Sequence, residues 1–264
     1  MEFKERLEKI MPEGKLVTVP MDDGLLDGPV GGLKDMKGKV KEIVAAKPDA
    51  ILGFLGPWKH CRKELGDTAY VLNLTASGRY GHPNEKVQIY TVEDALRMGV
   101  TGVAVHLNVG AENANEQLRT LGQICSAAYN RIPVMAIAYP RGGRIREDHE
   151  AQMAATAYAA RVAAECGADI VKTKYLGDGA EFKEVVDSTP VPVIMAGGPR
   201  AKENPTKTIL ERVYECMQAG GAGVALGRNS FHHPDTTAFV SAVRGIVRDG
   251  RTVDEVVREY KLSN

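Results

Sequence analysis

The sequence predicts an α/β fold, a TIM (β/α)8 barrel, as a single domain over 1–264 with a short N-terminal helical extension. Three observations predict it. Eight short runs rich in Val, Ile and Ala recur along the chain. Most are followed by a segment of helical period, and several are nearly continuous in apolar residues, as parallel strands covered on both faces must be. A length of 264 residues also suits one such barrel.

In chain order the strand runs are 16–21 (LVTVPM), 50–55 (AILGFL), 70–74 (YVLNL), 102–107 (GVAVHL), 133–138 (PVMAIA), 168–173 (ADIVKT), 191–196 (VPVIMA) and 222–226 (AGVAL). Helices are clearest in the second half. The segment 149–165 is dense in alanine and stops before Gly167. In 206–218, Ile209, Leu210, Val213, Tyr214 and Met217 share one face, and Phe239, Val240, Val243 and Ile246 do the same in 235–247. Segments 34–46, 92–98 and 113–129 supply earlier helices, and the weakest follows the second strand, in "PWKHCRKEL". The structural alternative is an open, doubly wound sheet, but no GxGxxG follows the first strand.

Charge and cysteine usage narrow the class. Lys plus Arg and Asp plus Glu number 34 each, so net charge gives no argument for binding nucleic acid or an anionic membrane. A local basic pocket can still take a phosphate. Cys61, Cys125, Cys166 and Cys216 form no CxxC pair and read as reduced, packed thiols. The charged start "MEFKERLEKIMPEGK" lacks the apolar centre of a signal peptide, and no run approaches the roughly 18 apolar residues of a membrane span. A soluble, cytoplasmic protein is expected.

In barrels of this kind the reactive groups stand at the C-terminal ends of the strands. Those ends here offer Asp22 and Asp23, Asn73, His106 and Asn108, Tyr139, Lys172 and Lys174, Gly197–Gly198, and Gly227–Arg228. No serine or cysteine arrangement suits a nucleophile. Lys172 and Lys174, two apart in "DIVKTKY", share a strand face. On the inner face, desolvation and mutual repulsion would both favour the neutral amine that attacks a carbonyl. The competing reading is that both amines snorkel to the mouth, or that one pairs with an aspartate. Tyr139 offers a phenol for proton relay, against an ordinary packed tyrosine. Asp22 offers a base, a hydroxyl acceptor or a lysine partner, against a cap for the following turn.

"MAGGPR" (195–200) and "LGRNSF" (226–231) follow strands seven and eight, where barrels frequently bind phosphate on backbone N–H groups, and Arg228 can add a clamp. His106 is a candidate substrate contact or a satisfied barrel histidine. The pairs His60–Cys61 and His232–His233 lack metal-ligand spacing, so no metal is expected.

Taken together, "VPMDDGLLDGP", "AIAYPRGG", "GADIVKTKYLGD", "VIMAGGPR" and "GVALGRNSF" resemble the archaeal-type class I aldolases. That family includes fructose-bisphosphate aldolases and 2-amino-3,7-dideoxy-D-threo-hept-6-ulosonate synthases. The resemblance runs from about 16 to 245, with the motifs in the family's order. It implies a Schiff base on Lys172, proton donation by Tyr139, an acidic role for Asp22, and a substrate phosphate held by Gly197, Gly198, Gly227 and Arg228. It also implies no cofactor or metal, and a homo-oligomer. Lys174, Asp23 and His106 are the further substrate contacts expected. Asp23 stands where the family typically has His, and the span from Tyr139 to Lys172 is about two residues longer than usual.

The first expectation is therefore an aldolase acting on a phosphorylated ketose, fructose 1,6-bisphosphate or a close relative. The alternative is the heptulosonate synthase, a transaldolase-type transfer of a three-carbon phosphorylated unit onto aspartate semialdehyde. A non-catalytic barrel that binds a phosphorylated sugar is a third. The substrate motifs divide: "VHLNVGA" (105–111) looks like the synthases and "YPRGGR" like the fructose-bisphosphate aldolases.

Overall fold

The computed structural model describes residues 1–263. Its eight barrel strands are β1 (Leu16–Pro20), β2 (Ala50–Gly53), β3 (Ala69–Asn73), β4 (Gly102–Asn108), β5 (Val134–Tyr139), β6 (Ile170–Lys174), β7 (Val193–Ala196) and β8 (Gly223–Ala225). Each pairs in parallel with its chain-order neighbours, and β8 closes on β1 through Leu16↔Gly223, Val17↔Val224 and Thr18↔Ala225. Closure removes the open-sheet alternative: the fold is a TIM barrel.

The pleat sorts side chains into two layers. Leu16, Leu52, Val71, Ala104, Met135, Ile137, Ile170 and Ile194 fill the interior, while Val17, Ile51, Leu72, Val103, Val105, Ala136, Val171 and Val193 pack under the helices. This double burial explains the nearly continuous apolar strands. The N-terminal helix Phe3–Ile10 covers one end of the barrel, where Ile10 and Met11 join the interior cluster. Arg6 fastens it by donating to the carbonyl of Val100.

A repeated device sets strand register. The residue before β2, β4 and β6 is Asp49, Thr101 and Asp169 respectively. Each donates its backbone N–H to the preceding strand, to Val17, Tyr70 and Val134. Each side-chain oxygen then accepts the N–H of that same residue, at 2.6, 3.2 and 2.8 Å. Before β8 stands Ala222, which keeps the backbone half of the bracket, to Val193, and lacks the side-chain half.

The helices follow their sequence signals. His149–Glu165 starts where Asp148 accepts from the N–H of Ala151, and Val92–Met98 opens on a capping box of Thr91 and Asp94. The weak segment after β2 forms two short helices, Leu55–His60 and Arg62–Leu65, with Trp58 tilted on Tyr70 at 5.0 Å. Sequence reasoning missed Asp23–Asp27, Gly179–Asp187 and Val253–Glu259, and a small antiparallel hairpin, Thr75–Ala76 with Val87–Gln88. No helix among the described residues is long and apolar enough to cross a membrane. The four cysteines are free thiols, three of them buried.

Candidate active site

Lys172 lies inside β6, opposite Ile137 of β5 and Ile194 of β7, and is 6% exposed. Its side chain lines a cavity of about 740 Å³, counted to the open mouth. The same cavity is lined by Asp22, Asp23, His106, Tyr139, Gly197, Gly198, Gly227 and Arg228. Of the ten residues singled out in the sequence, nine therefore meet in one place. Among the described residues no carboxylate lies within ion-pair distance of Lys172, so the reading of a lysine paired with an aspartate does not hold.

Lys174 is the exception. The pleat gives it the same face as Lys172, but it ends the strand, above the packed interior. Its amine leans to Gln152 Oε1, at 3.5 Å. It lines a neighbouring cavity with Arg141, Arg212 and the Gly197–Gly198 turn. Burial lowers its amine, with the Arg141 guanidinium second. The expected repulsion between the two lysines is thus replaced by Arg141 as the charge acting on Lys174.

Asp22 occupies the cap position of Asp23–Asp27 without capping it. Its carboxylate accepts instead from Asn73 Nδ2, at 2.9 Å. Asn73 Oδ1 accepts the N–H of Thr75 at 3.2 Å, and Thr75 Oγ1 lies 3.3 Å from His106 Nδ1. This chain runs across β1, β3 and β4 and fixes the carboxylate at the mouth. Asp23 is held above the usual carboxylate range by burial and then by Asp22, against the pull of Arg228 and Lys172. His106 is pushed well below its ordinary value by burial, then by Lys86, Lys172 and Arg141. This disfavours the charged imidazolium there.

The two glycine turns are dictated by space. A Cβ on Gly197 would lie 2.7 Å from Leu226 Cδ2, and one on Gly227 would lie 2.7 Å from the Pro20 carbonyl. Gly198 has φ +64°, where side chains are strained. Asn229 Nδ2 donates to Gly197 O at 3.3 Å and ties the turns together. The short helix Arg228–Phe231 begins here, and the first N–H groups of a helix have no partner within it.

Four polar lining residues escaped the sequence reading: Thr75, Ser77, Lys86 and Arg141. Lys86 is 7% exposed although "HPNEKVQ" reads as a solvated loop. Arg141 stacks over the Tyr139 ring at 4.3 Å. The signal available for Arg141 was its place two residues after Tyr139; Lys86 had none.

The motifs that divided over substrate turn out to be two sides of one backbone crossing. Gly142 of "YPRGGR" has φ +122°, and a Cβ there would lie 1.9 Å from the Gly110 carbonyl of "VHLNVGA". Gly110 donates to Arg141 O at 2.9 Å. The glycine after Arg141 is a packing requirement, whereas a Cβ on the next, Gly143, would meet nothing within 4 Å. Among the described residues no three His, Cys, Asp or Glu side chains are grouped to hold a metal.

A closed parallel barrel, with a buried lysine within its sixth strand and an acid, a phenol and two glycine turns around it, is a class I aldolase-type barrel. A model of the DeoC/LacD family aldolases matches residues 16–233, and this chain belongs to that family. It is 37% identical over 246 residues to a 2-amino-3,7-dideoxy-D-threo-hept-6-ulosonate synthase of Halobacterium salinarum, covering 92% of this chain and 91% of that one. It is 34% identical over 251 residues to a 2-amino-4,5-dihydroxy-6-oxo-7-(phosphonooxy)heptanoate synthase of Streptomyces griseus, covering 94% and 90%. Among solved structures it is similar to an archaeal fructose-1,6-bisphosphate aldolase whose catalytic lysine is covalently bound to the carbinolamine intermediate. There the TM-score is 0.83 at 27% identity, over 92% of this chain and 98% of that one. These relatives favour the synthase alternative over the fructose-bisphosphate expectation.

Proposed function

We propose that this chain is a Schiff-base enzyme that joins a three-carbon ketone unit to a four-carbon amino-acid aldehyde, as a heptulosonate-type synthase. The observation that carries the reading is Lys172, an amine buried at the bottom of a polar cavity with no carboxylate to pair it. The two synthase relatives make it more specific. Their names describe seven-carbon 2-amino acids with a ketone at C6. A C4 hydroxyl β to that ketone, as the second name prints, is the mark of an aldol bond between C4 and C5. Breaking that bond on paper gives aspartate semialdehyde and a three-carbon ketone. The second name has a phosphate on C7, and the first has C7 fully deoxygenated. A phosphorylated three-carbon unit therefore fits the second relative only.

The steps use this chain's own groups. The Lys172 amine adds to the donor ketone, and loss of water leaves an iminium. Cleavage of the neighbouring carbon–carbon bond releases an aldehyde and leaves an enamine, with the iminium as electron sink. The enamine carbon attacks the acceptor aldehyde, and water then frees the product and the lysine. Tyr139 and Asp22 move the protons between hydroxyl and alkoxide at the two bond-changing steps. The iminium supplies the electron sink, so the reading calls for no metal. The Gly197–Gly198 and Gly227–Arg228 turns hold a donor phosphate on backbone N–H groups and a guanidinium.

A turnover panel tests it. Fructose 1,6-bisphosphate, fructose 1-phosphate and deoxy-ketose phosphates are offered with and without aspartate semialdehyde. The expected result is a seven-carbon amino acid formed only with the acceptor, at a rate above simple cleavage. Cleavage of fructose 1,6-bisphosphate unaffected by the acceptor, with no such product, would restore the fructose-bisphosphate aldolase reading.

A further inference from the structure

The hairpin Thr75–Ala76/Val87–Gln88 brings a second amine into the Lys172 cavity. Lys86 Nζ donates to Ser77 Oγ at 2.7 Å, and Ser77 Oγ donates in turn to the Pro83 carbonyl at 2.8 Å. One ammonium N–H is thereby used and two remain. Arg141 lines the same cavity. Among the described residues neither cation has an ion-pair partner. The acid that acts on Lys86, Asp22, already accepts from Asn73.

The segment is also held rigidly. The Asn84 carbonyl, two residues before Lys86, accepts from Asn108 Nδ2 and from Gln117 Nε2, each at 2.8 Å. Arg141 is fixed through its carbonyl, which accepts from Gly110, and through its stacking on Tyr139. Lys86 is buried and Arg141 half-buried, and prepositioned cations withdrawn from water without a protein counter-ion are costly unless an anion completes them. The glycine turns lie at β7 and β8, whereas Lys86 and Arg141 follow β3 and β5; Arg141 also borders the Gly197–Gly198 turn in the neighbouring cavity, so Lys86 is the cation farther round the mouth from the turns.

We infer that Lys86 and Arg141, with Ser77, form a second anion subsite that takes the end of the substrate remote from the phosphate turns. Resting on the function proposed above, that end is the carboxylate of the acceptor aldehyde; the 6-phosphate of a ketose bisphosphate offers the same chemistry. The subsite selects substrates with an anion at both ends. Burial, then Arg141, lowers the Lys86 amine to about 8 against the pull of Asp22. The contribution of Lys86 to anion binding is full below that pH and is lost as pH rises past it, while Arg141 stays charged.

The test compares wild type with Lys86→Gln, which keeps a donor for Ser77 and removes the charge. Two ratios are read. One is kcat/KM for succinic semialdehyde over propanal as acceptors, and the other is calorimetric affinity for fructose 1,6-bisphosphate over fructose 1-phosphate. A charge-assisted hydrogen bond predicts that Lys86→Gln lowers one ratio by about tenfold or more, and which ratio falls names the source of the anion. Both ratios staying within about fivefold of wild type would overturn the subsite. A second measurement needs no variant: the affected ratio in wild type should fall between about pH 7 and 9, and a flat profile counts against the subsite. The bisphosphate ratio requires no Schiff base. Its fall without borohydride trapping at Lys172 would retain the subsite and remove the function proposed above; trapping with both ratios unchanged would do the reverse.

Discussion

Asp22 shows how far a single residue departs from its local sequence signal. Asp followed by Gly two residues on reads as a turn cap, yet the carboxylate turns from the helix it precedes and accepts from Asn73. Its hydrogen bond keeps it at the cavity wall. Asp22→Asn leaves the shape nearly unchanged and removes the base, so kcat should fall by about 10²–10⁴-fold with little change in melting temperature. Steady-state kinetics beside a thermal melt checks this; an unchanged kcat would remove Asp22 from proton transfer. Lys172 was legible because a charge in a β-branched strand is conspicuous. Lys86 was not, because a lysine in a polar loop is the commonest sight in any sequence, and only the fold buries it.

At the scale of elements, the strands were readable because burial on both faces leaves them almost no polar positions. The missed helices have ordinary reasons. Asp23–Asp27 is barely more than one turn, and Gly179–Asp187 offers only Phe182 and Val185 as buried anchors. The hairpin has two residues per strand, too few for any alternation to register. The strand brackets at Asp49, Thr101 and Asp169 were likewise invisible, since a lone Asp before a strand looks like any loop residue. The bracket at Asp49 is tied in further: its Oδ1 lies 2.7 Å from Arg248, which also donates to the Lys15 carbonyl. With Asp49 6% and Arg248 13% exposed, removing one partner strands a buried charge. Asp49→Ala should cost about 3–5 kcal/mol in urea unfolding, and a loss below about 1 kcal/mol would show that the pair is solvated.

Across the whole molecule, the barrel gathers residues far apart in sequence at one end of eight strands. Asp22, Lys86, Tyr139, Lys172 and Arg228 come from five different strand-to-helix connections or strand ends. Position along the chain foretold where such groups would gather, since strand ends in a barrel converge. What it could not foretell was which of two neighbouring lysines enters which cavity, because that depends on where β6 stops. The two motifs that divided over substrate meet in a packing contact between Gly110 and Gly142, which sequence order alone does not reveal. The cavity has two glycine turns at β7 and β8, and Lys86 enters it from the hairpin after β3.

The central claim is that Lys172 carries the substrate covalently, and reductive trapping tests it most directly. Borohydride is added to the enzyme with a phosphorylated ketose, and the digest is mapped by mass. The account predicts a permanent adduct on the peptide that holds Lys172, absent in Lys172→Met and retained in Lys174→Met. No adduct across the ketose panel, or an adduct on the peptide of Lys86, would contradict it.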